Sequence, residues 1–561
     1  MTGLERLTMP TNVRAVIAAR IDRLPDPAKR LLQTAAVIGK EFSGPLLDVV
    51  TDLAAGERTV ALDRLKASDF IYECALYPVF EYAFKHPLSH EVAYQSQLQS
   101  RRAVVHAAVA RALESRAGDK LDEQAALLAH HCEAAGEVLN AARWHRRAAE
   151  WAGMNDVKAA LHHWQRVREL ARQHGTDAAS TTLLALACSQ ALSFAWRVGA
   201  SAITCSEIFE EGSVAAERTG NLPMLAALNA AYGAVRGVNQ GAELDYVRYT
   251  AEAARIADGT GDSALRAGMR TYLIYAHMYC GHLKDAERVA DEIITLVLED
   301  LYLGAEFPGM SPLVAARALR LLALGWLHDP ATFLREFSLV RQAAMDAGYP
   351  EQTLWGLSHE TELKYALGNI DGLHGLAQMA KQLAKNLGAI HEILAAMVQC
   401  DSLACASDWG ALSVLGADTL GRVRERGTGR LFEPRLLSHI GTAQGELGNL
   451  EASRAAAQEG VEIMREMQGV WNPHCYAVLA RAQLALAEPA ADIASTLDEY
   501  EALLTRTGFH VYEGELHELR AQLFEREGLQ AARGTALARA RDCYTRFGML
   551  AQARRVAVAC A

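Results

Sequence analysis

The chain has 561 residues, 51% of them hydrophobic and 22% charged, which is the composition of a folded protein long enough for three or four domains. Lysine and arginine number 56 against 67 aspartates and glutamates, a net charge of −11. An acidic body lacks the basic face that nucleic acid or an anionic membrane requires. Only residues 1–116, with 15 basic and 13 acidic side chains, escape that exclusion.

Of the 14 prolines, six precede residue 88 and none lies between Pro87 and Pro223, where Ala, Leu, Arg and Glu dominate. These residues lose least entropy in a helix, so a large all-β protein is excluded. The ten cysteines form no CxxC pair and no zinc-finger spacing. His130-His131-Cys132 is the nearest approach to a ligand cluster, but adjacent helical residues point about 100° apart and cannot share one ion. The thiols therefore read as reduced, small apolar side chains. The start, MTGLERLTMP, has no apolar core, and no run approaches 18 uninterrupted apolar residues, so the expectation is a cytoplasmic protein with no membrane partner.

In chain order, residues 11–24 place Val13, Val16, Ile17, Ile21 and Leu24 at helical spacing. Asp26-Pro27 starts a second helix that stops at Gly39. Ser43 caps a short one carrying Leu46 and Leu47, and a further helix covers about 57–67 with Val60, Ala61 and Leu65 inward. The period then drops to two. Phe70, Tyr72 and Cys74 alternate, Tyr77-Pro78 marks a turn, and Phe80, Tyr82 and Phe84 alternate again, the pattern of a β-hairpin. Short helices followed by a hairpin predict a winged helix.

Four phrases in this region, AARIDRLP at 18–25, LLQTAAVIGKEF at 31–42, FKHPLSHEVAY at 84–94 and DEQAALLAHHCEAAGE at 122–137, resemble one bacterial family. It is the STAND-type signalling ATPases associated with class III adenylate/guanylate cyclase domains. The resemblance implies a linker helix (1–24) after a nucleotide-binding core, a winged-helix domain (25–116) and a helical repeat region (117–561). In that family a histidine in a Met-His-Asp motif at the end of the winged helix contacts the nucleotide phosphate. Phe84-Lys85-His86-Pro87-Leu88 stands in that place, so the resemblance implies a phosphate-sensing role for His86; the motif differs at both flanks, and a purely local role at the strand-to-helix junction is the other reading. A P-loop is missing: the only Gly-Lys, Gly39-Lys40, is followed by Glu41 and has Thr34 where the upstream glycine belongs. No cyclase aspartate pair is evident either. The chain is therefore expected not to be an enzyme and to hold no cofactor, with ATP or ADP bound only in a longer parent.

From about residue 117 onward, helix-breaking marks recur at Asn155, Gly199, Gly241, Gly281, His328, Gly368, Gly410, Gly448, Glu488 and Gly528. Amphipathic runs of helix length separate them, giving helix–turn–helix units of about 40 residues. Gly136-Glu-Val-Leu-Asn-Ala141, Gly281-His-Leu-Lys-Asp-Ala286 and Gly448-Asn-Leu-Glu-Ala-Ser453 share one turn pattern: glycine ends the first helix at positive φ, and a small residue follows where the second helix packs close. The units resemble long, degenerate tetratricopeptide (TPR) repeats, similar to the superhelical sensor of maltose-activator-type STAND regulators. The fold class expected is a mainly α chain, a TPR-like α-solenoid preceded by a small winged helix.

A solenoid offers an inner face lined by the first helix of each hairpin. Tyr272, Tyr275 and Tyr279 share one stripe of such a helix, and Trp355, His359 and Glu362 another. Tyr275, Tyr279, Trp355 and His359 are the candidate contacts for a protein or small-molecule effector; packing between hairpins is the alternative reading of each stripe. His162-His163 and Arg146-Arg147 read as solvated faces, and the charged residues of 500–561 show no pattern. The function expected is a regulatory, protein-interacting sensor module working with nucleotide-binding and cyclase domains in cis or in trans. The alternative is a DNA-binding transcriptional regulator, but Arg58, Arg64 and Lys66 share their helix region with Glu57, Asp63 and Asp69, a near-neutral face that holds phosphate weakly.

Overall fold

The computed structural model describes residues 11–75, 80–467 and 473–560. The chain is mainly α, with a single small sheet among the described residues. It divides into two compact units, one of residues up to 152 with 162–180 and one of 153–161 with 181 onward.

The first unit opens with helices Thr11–Asp22 and Asp26–Ile38, strand β1 (Glu41–Ser43), helices Gly44–Val50 and Ala55–Ala67, and strands β2 (Ile71–Ala75) and β3 (Glu81–Phe84). The sheet order is β1-β3-β2, antiparallel throughout, with Phe42 opposite Tyr82 and Ile71 opposite Phe84. The third strand, β1, is an addition to the expected hairpin. The Tyr77-Pro78 turn lies outside the described residues. Ile21, Leu31, Leu32, Leu47, Leu65, Phe70, Phe84 and Ala93 close one core, and each large side chain taken from water there contributes about 1.5–3 kcal/mol. Three residues expected on the apolar faces of their helices are corrected. Val60 is 71% exposed, and Val13 and Val16 also face solvent, because Ala61 and Leu65, with Leu62 beside them, fill the inner stripe of their helix and Ile17, Ala18 and Ile21 that of theirs. Neither Asp26 nor Ser43 caps through its side chain. Pro25 holds the N-cap position of its helix, and Asp26 is the first helical residue.

Helices Gln99–Arg116, Ala125–Ala134, Val138–Ala152 and Val157–His174 continue the chain as hairpins. His163 is turned from the expected solvated face toward His145, with the two Nδ1 atoms 2.8 Å apart. A second histidine pair is deeper: His106 and His131 are each 1% exposed, and their Nδ1 atoms stand 2.9 Å apart. One ring must donate and the other accept, so they cannot both be cations without losing that bond. Burial, followed by neighbouring histidines, pushes His106 down to about 4 and His131 to about 3. Unfolded, both would titrate near 6.5, so acid protonates the unfolded chain first. Their contribution is fully present above about pH 6.5 and is lost as pH falls toward 4. We expect a lower denaturation midpoint near pH 5 than near pH 7.5, and a shallower pH dependence in His131→Gln.

In the second unit, inner helices start at residues 222, 263, 312, 350, 389, 433, 474 and 513, which is the expected period of about 40. Each packs on the next inner helix and on its own outer partner, the arrangement of a helical-hairpin solenoid. The turns follow the glycine marks where positive φ is needed, at Gly199, Gly241, Gly281, Gly368, Gly448 and Gly528. Two marks shift: Ser407 at φ 56° and Ala487 at φ 57° are the left-handed residues, whereas Gly410 lies inside the helix Trp409–Arg426 that Asp408 caps. Helix Ala178–Val198 is long and apolar enough to cross a membrane by length and composition. Ala187, Cys188, Ala191 and Leu192 on it are nevertheless fully buried in the protein, as in a core helix.

The spiral touches itself. Asn239 Nδ2 donates to the Trp196 carbonyl at 3.0 Å, and Thr428 Oγ1 and the Gly429 amide donate to Asn239 Oδ1 at 2.8 and 3.2 Å. At Gly199 a Cβ would collide with the Arg426 carbonyl. One turn further, Trp326 meets Phe509 and Tyr512, with ring centres 5.2 and 5.7 Å away. The inner face of this part is thus enclosed.

Candidate functional site

The two stripes predicted as effector contacts meet. Tyr272, Tyr275 and Tyr279 come from helix Ser263–Tyr279, and Trp355 and His359 from Pro350–Ala366, with the inner helix Pro312–Leu327 between them in sequence. Tyr279 lies 5.8 Å from Trp355 between ring centres, Tyr275 lies 6.1 Å from both, and Phe432 closes on Tyr279 at 6.0 Å. Tyr279 Oη stands 3.1 Å from His359 Nε2. Burial, then the Arg435 charge, pushes His359 down to about 3, so its ring is neutral and shares one hydrogen bond with the phenol. Tyr279, His359 and Trp355 are buried, and Tyr275 is half-buried at the rim. The residues 298–311, the longest connection between an outer and an inner helix in this stretch, bring Pro308 and Met310 over the cluster. The space left is about 30 Å³, room for a water molecule or two.

Below the rings lie two fully buried charge networks. Arg197 donates to both Glu351 oxygens at 3.0 and 3.1 Å, and His391 Nε2 lies 3.1 Å from the same carboxylate. Burial alone would raise Glu351; Arg197 and His391 outweigh it and bring the carboxyl to about 2. Arg435 bridges Glu362, at 3.1 Å, and Asp401, which also accepts from Thr361 at 2.7 Å and pairs with His439 at 3.0 Å. These charges hold inner helices to one another.

Open space lies farther along the same inner face, among residues that carried no signal in the sequence. A cleft of about 470 Å³ is lined by Tyr365, His474, Arg481, Glu515, Glu518, Tyr544 and Arg555, with Gln522 and Gln552 beside them, a volume in the range of small-ligand sites. Arg481 pairs with Glu515, and His474 Nε2 is 3.6 Å from that carboxylate. Glu518 accepts from Tyr544 at 3.0 Å and pairs with Arg555. Burial would raise Glu515, but Arg481 and His474 hold it at about 2, so it is ionised at any physiological pH. The arginine side chains stay 51% and 60% exposed while their carboxylates are only 14% and 15% exposed. Each anion is fixed in the wall and each cation reaches into the cleft.

In the other unit, His86 is exposed and sits at the N-cap position of helix Pro87–Gln95, with no side-chain capping bond. Its carbonyl, not its imidazole, receives the Ser89 amide at 3.0 Å. His86→Ala is therefore expected to change stability by less than about 0.5 kcal/mol, as surface substitutions do. A melting temperature lower by several degrees would assign the ring a structural role.

No protein-family model matches the chain, and no curated protein does. Among solved structures, 112 chains match. A Rap protein complexed with competence and sporulation factor is similar at 11% identity over 74% of this chain and 99% of its own, with a TM-score of 0.39. A STAND protein with a tetratricopeptide repeat sensor from Pyrococcus horikoshii is similar at 13% identity over 92% of this chain and 68% of its own, with a TM-score of 0.35. The class of the chain, a helical-hairpin solenoid joined to a small helix-and-sheet unit, rests on its own helix order and packing.

Proposed function

We propose that this chain is the regulatory, effector-sensing and protein-interacting part of a cytoplasmic signal-transduction ATPase or adenylate/guanylate cyclase. The solenoid binds the effector, and the small unit, read as a winged helix, relays it to nucleotide-binding and cyclase domains in cis or in trans. The observation that carries this reading is the 470 Å³ cleft on the inner face, whose walls carry paired charges of both signs and no nucleophile–base arrangement. The family phrases around residues 18–94 and the order helix, β1, helix, helix, β2, β3 support the relay. On this reading Tyr275, at the half-buried rim, meets the effector, and the buried Tyr279, Trp355 and His359 form the floor behind it. Binding shifts a population between two states only by the difference in affinity for them.

The cleft chemistry favours an ampholyte such as a short peptide. Each arginine already faces a carboxylate, so a ligand with both charges can insert between partners without stranding either one. For the DNA-binding alternative, Arg58 would have to leave Asp48, and Lys66 would have to leave Asp63 and Glu73, which supports the sensor reading instead. A thermal-shift screen of the chain against a short-peptide library tests the proposal. Stabilising peptides are expected, with the shift abolished in Gln552→Ala and Arg481→Ala. Failure of every peptide, together with a parent reading frame that holds no ATPase or cyclase domain, would overturn it.

A further inference from the structure

We propose that His277, His282 and Asp285 form a binding site for a zinc-class divalent cation at the turn between helices Ser263–Tyr279 and Leu283–Val297. Their ligand atoms all lie within 4.8 Å of one another; His277 is buried and the other two are exposed. His277 Nδ1 and His282 Nδ1 are 3.4 Å apart. Two nitrogens held about 2.0–2.1 Å from one tetrahedral ion stand about 3.4 Å apart. The other close histidine pairs of the chain, His106–His131 and His145–His163, sit at 2.9 and 2.8 Å, the spacing of an N–H···N bond. The 277–282 pair is wider than either of those bonds, a long contact at most, and matches the width of a shared ion.

The repeat itself explains why these three positions converge. The turn glycine, Gly281, has φ 72°, and the amide of the next residue donates back to the carbonyl four residues before the glycine, His282 to His277, at 2.8 Å. The Gly448 turn repeats this from Asn449 to Gln444 at 2.9 Å, and the Gly136 turn from Glu137 to Cys132 at 2.9 Å. Side chains at these positions therefore face each other: Asn449 Nδ2 donates to Gln444 Oε1 at 2.9 Å. The position four after the glycine joins them, since Asn140 Nδ2 donates to Glu137 Oε2 at 2.9 Å. What the other turns use for amide hydrogen bonds, this turn fills with two imidazoles and a carboxylate. That set suits zinc, with water or a partner's donor on the open, solvent-facing position. Arg288 lies 3.3 Å from Asp285 but makes its shorter bond, 2.6 Å, to Glu292, so Asp285 can turn to a cation without stranding Arg288.

The test is titration of the full chain with zinc against a chromogenic chelator, repeated with cobalt to read the ligand set from its visible spectrum. His282→Ala and Asp285→Asn change exposed side chains and keep the buried His277, so both variants are expected to fold. The expected result is one site in the wild type, a cobalt spectrum with tetrahedral bands and no thiolate charge transfer, and affinity lower by roughly tenfold or more in each variant. Undetectable binding, equal affinity in wild type and variants, or a thiolate band from the free cysteines would each overturn the proposal.

Discussion

Tyr279→Ala is expected to destabilise the protein by about 3–5 kcal/mol, the range for emptying a buried aromatic site. The ring is 2% exposed and touches Tyr275, Trp355, His359 and Phe432, and the void beside it already measures about 30 Å³. Neighbours anchored on three different segments, helices Ser263–Tyr279 and Pro350–Ala366 and the short turn Arg430–Phe432, cannot collapse into the hole. The phenol contributes separately: Tyr279→Phe keeps the packing and removes the 3.1 Å bond to His359, for an expected loss of about 1 kcal/mol. Tyr275→Ala, at the half-buried rim, is expected to lose less than Tyr279→Ala. Denaturant midpoints of the three variants measure the order directly. A loss below about 1 kcal/mol for Tyr279→Ala would mean that the ring is a surface contact and not the floor of the cluster.

The repeat period was legible in the sequence because glycine is the residue that enters positive φ without strain, and Gly281 and Gly448 each end a helix that way. Where the chain spends Ser407 or Ala487 on the same conformation, composition gives no mark, and the nearest glycine misplaces the turn. Strand β1 was hidden for a different reason: Glu41–Ser43 is three residues long, too short for an alternation to show. The face of the helix Ala55–Ala67 was misjudged because alanine and leucine suffice to bury it, leaving Val60 outside.

The two aromatic stripes were legible one by one, as residues spaced along a helix. Their meeting was not, since it depends on how far the spiral turns between helices Ser263–Tyr279 and Pro350–Ala366. The cleft was hidden more deeply. Tyr365, His474, Arg481, Glu515 and Arg555 come from four helices spread over 190 residues, and the charged residues among them look like any solvated ones. Glu362 shows the same limit from the other side: read as part of a polar stripe, it is 1% exposed and belongs to Arg435.

That arginine carries the second large effect. Arg435→Met is expected to cost about 3–5 kcal/mol, the loss found when one partner of a buried ion pair is removed. Methionine fills much of the same volume, so the loss reports charge rather than a cavity. Asp401 and Glu362, at 0% and 1% exposure, would be left without their cation. Burial alone raises the Asp401 carboxyl; Arg435 first, and then His439, reverses that and holds it below the usual carboxylate range. Without the arginine the carboxyl is expected to rise and take up a proton, so the variant should lose less stability in mildly acidic buffer than at neutral pH. The triple variant Arg435→Met/Asp401→Asn/Glu362→Gln removes all three charges together. Because replacing a complete buried ion network is far cheaper than breaking it, the triple variant should recover a large part of the single variant's loss. Urea denaturation of the single and triple variants at two pH values decides the matter. A triple variant as unstable as the sum of its parts would show that Arg435 acts through its packing and its 3.4 Å contact with Ser358, and not through the charges it neutralises.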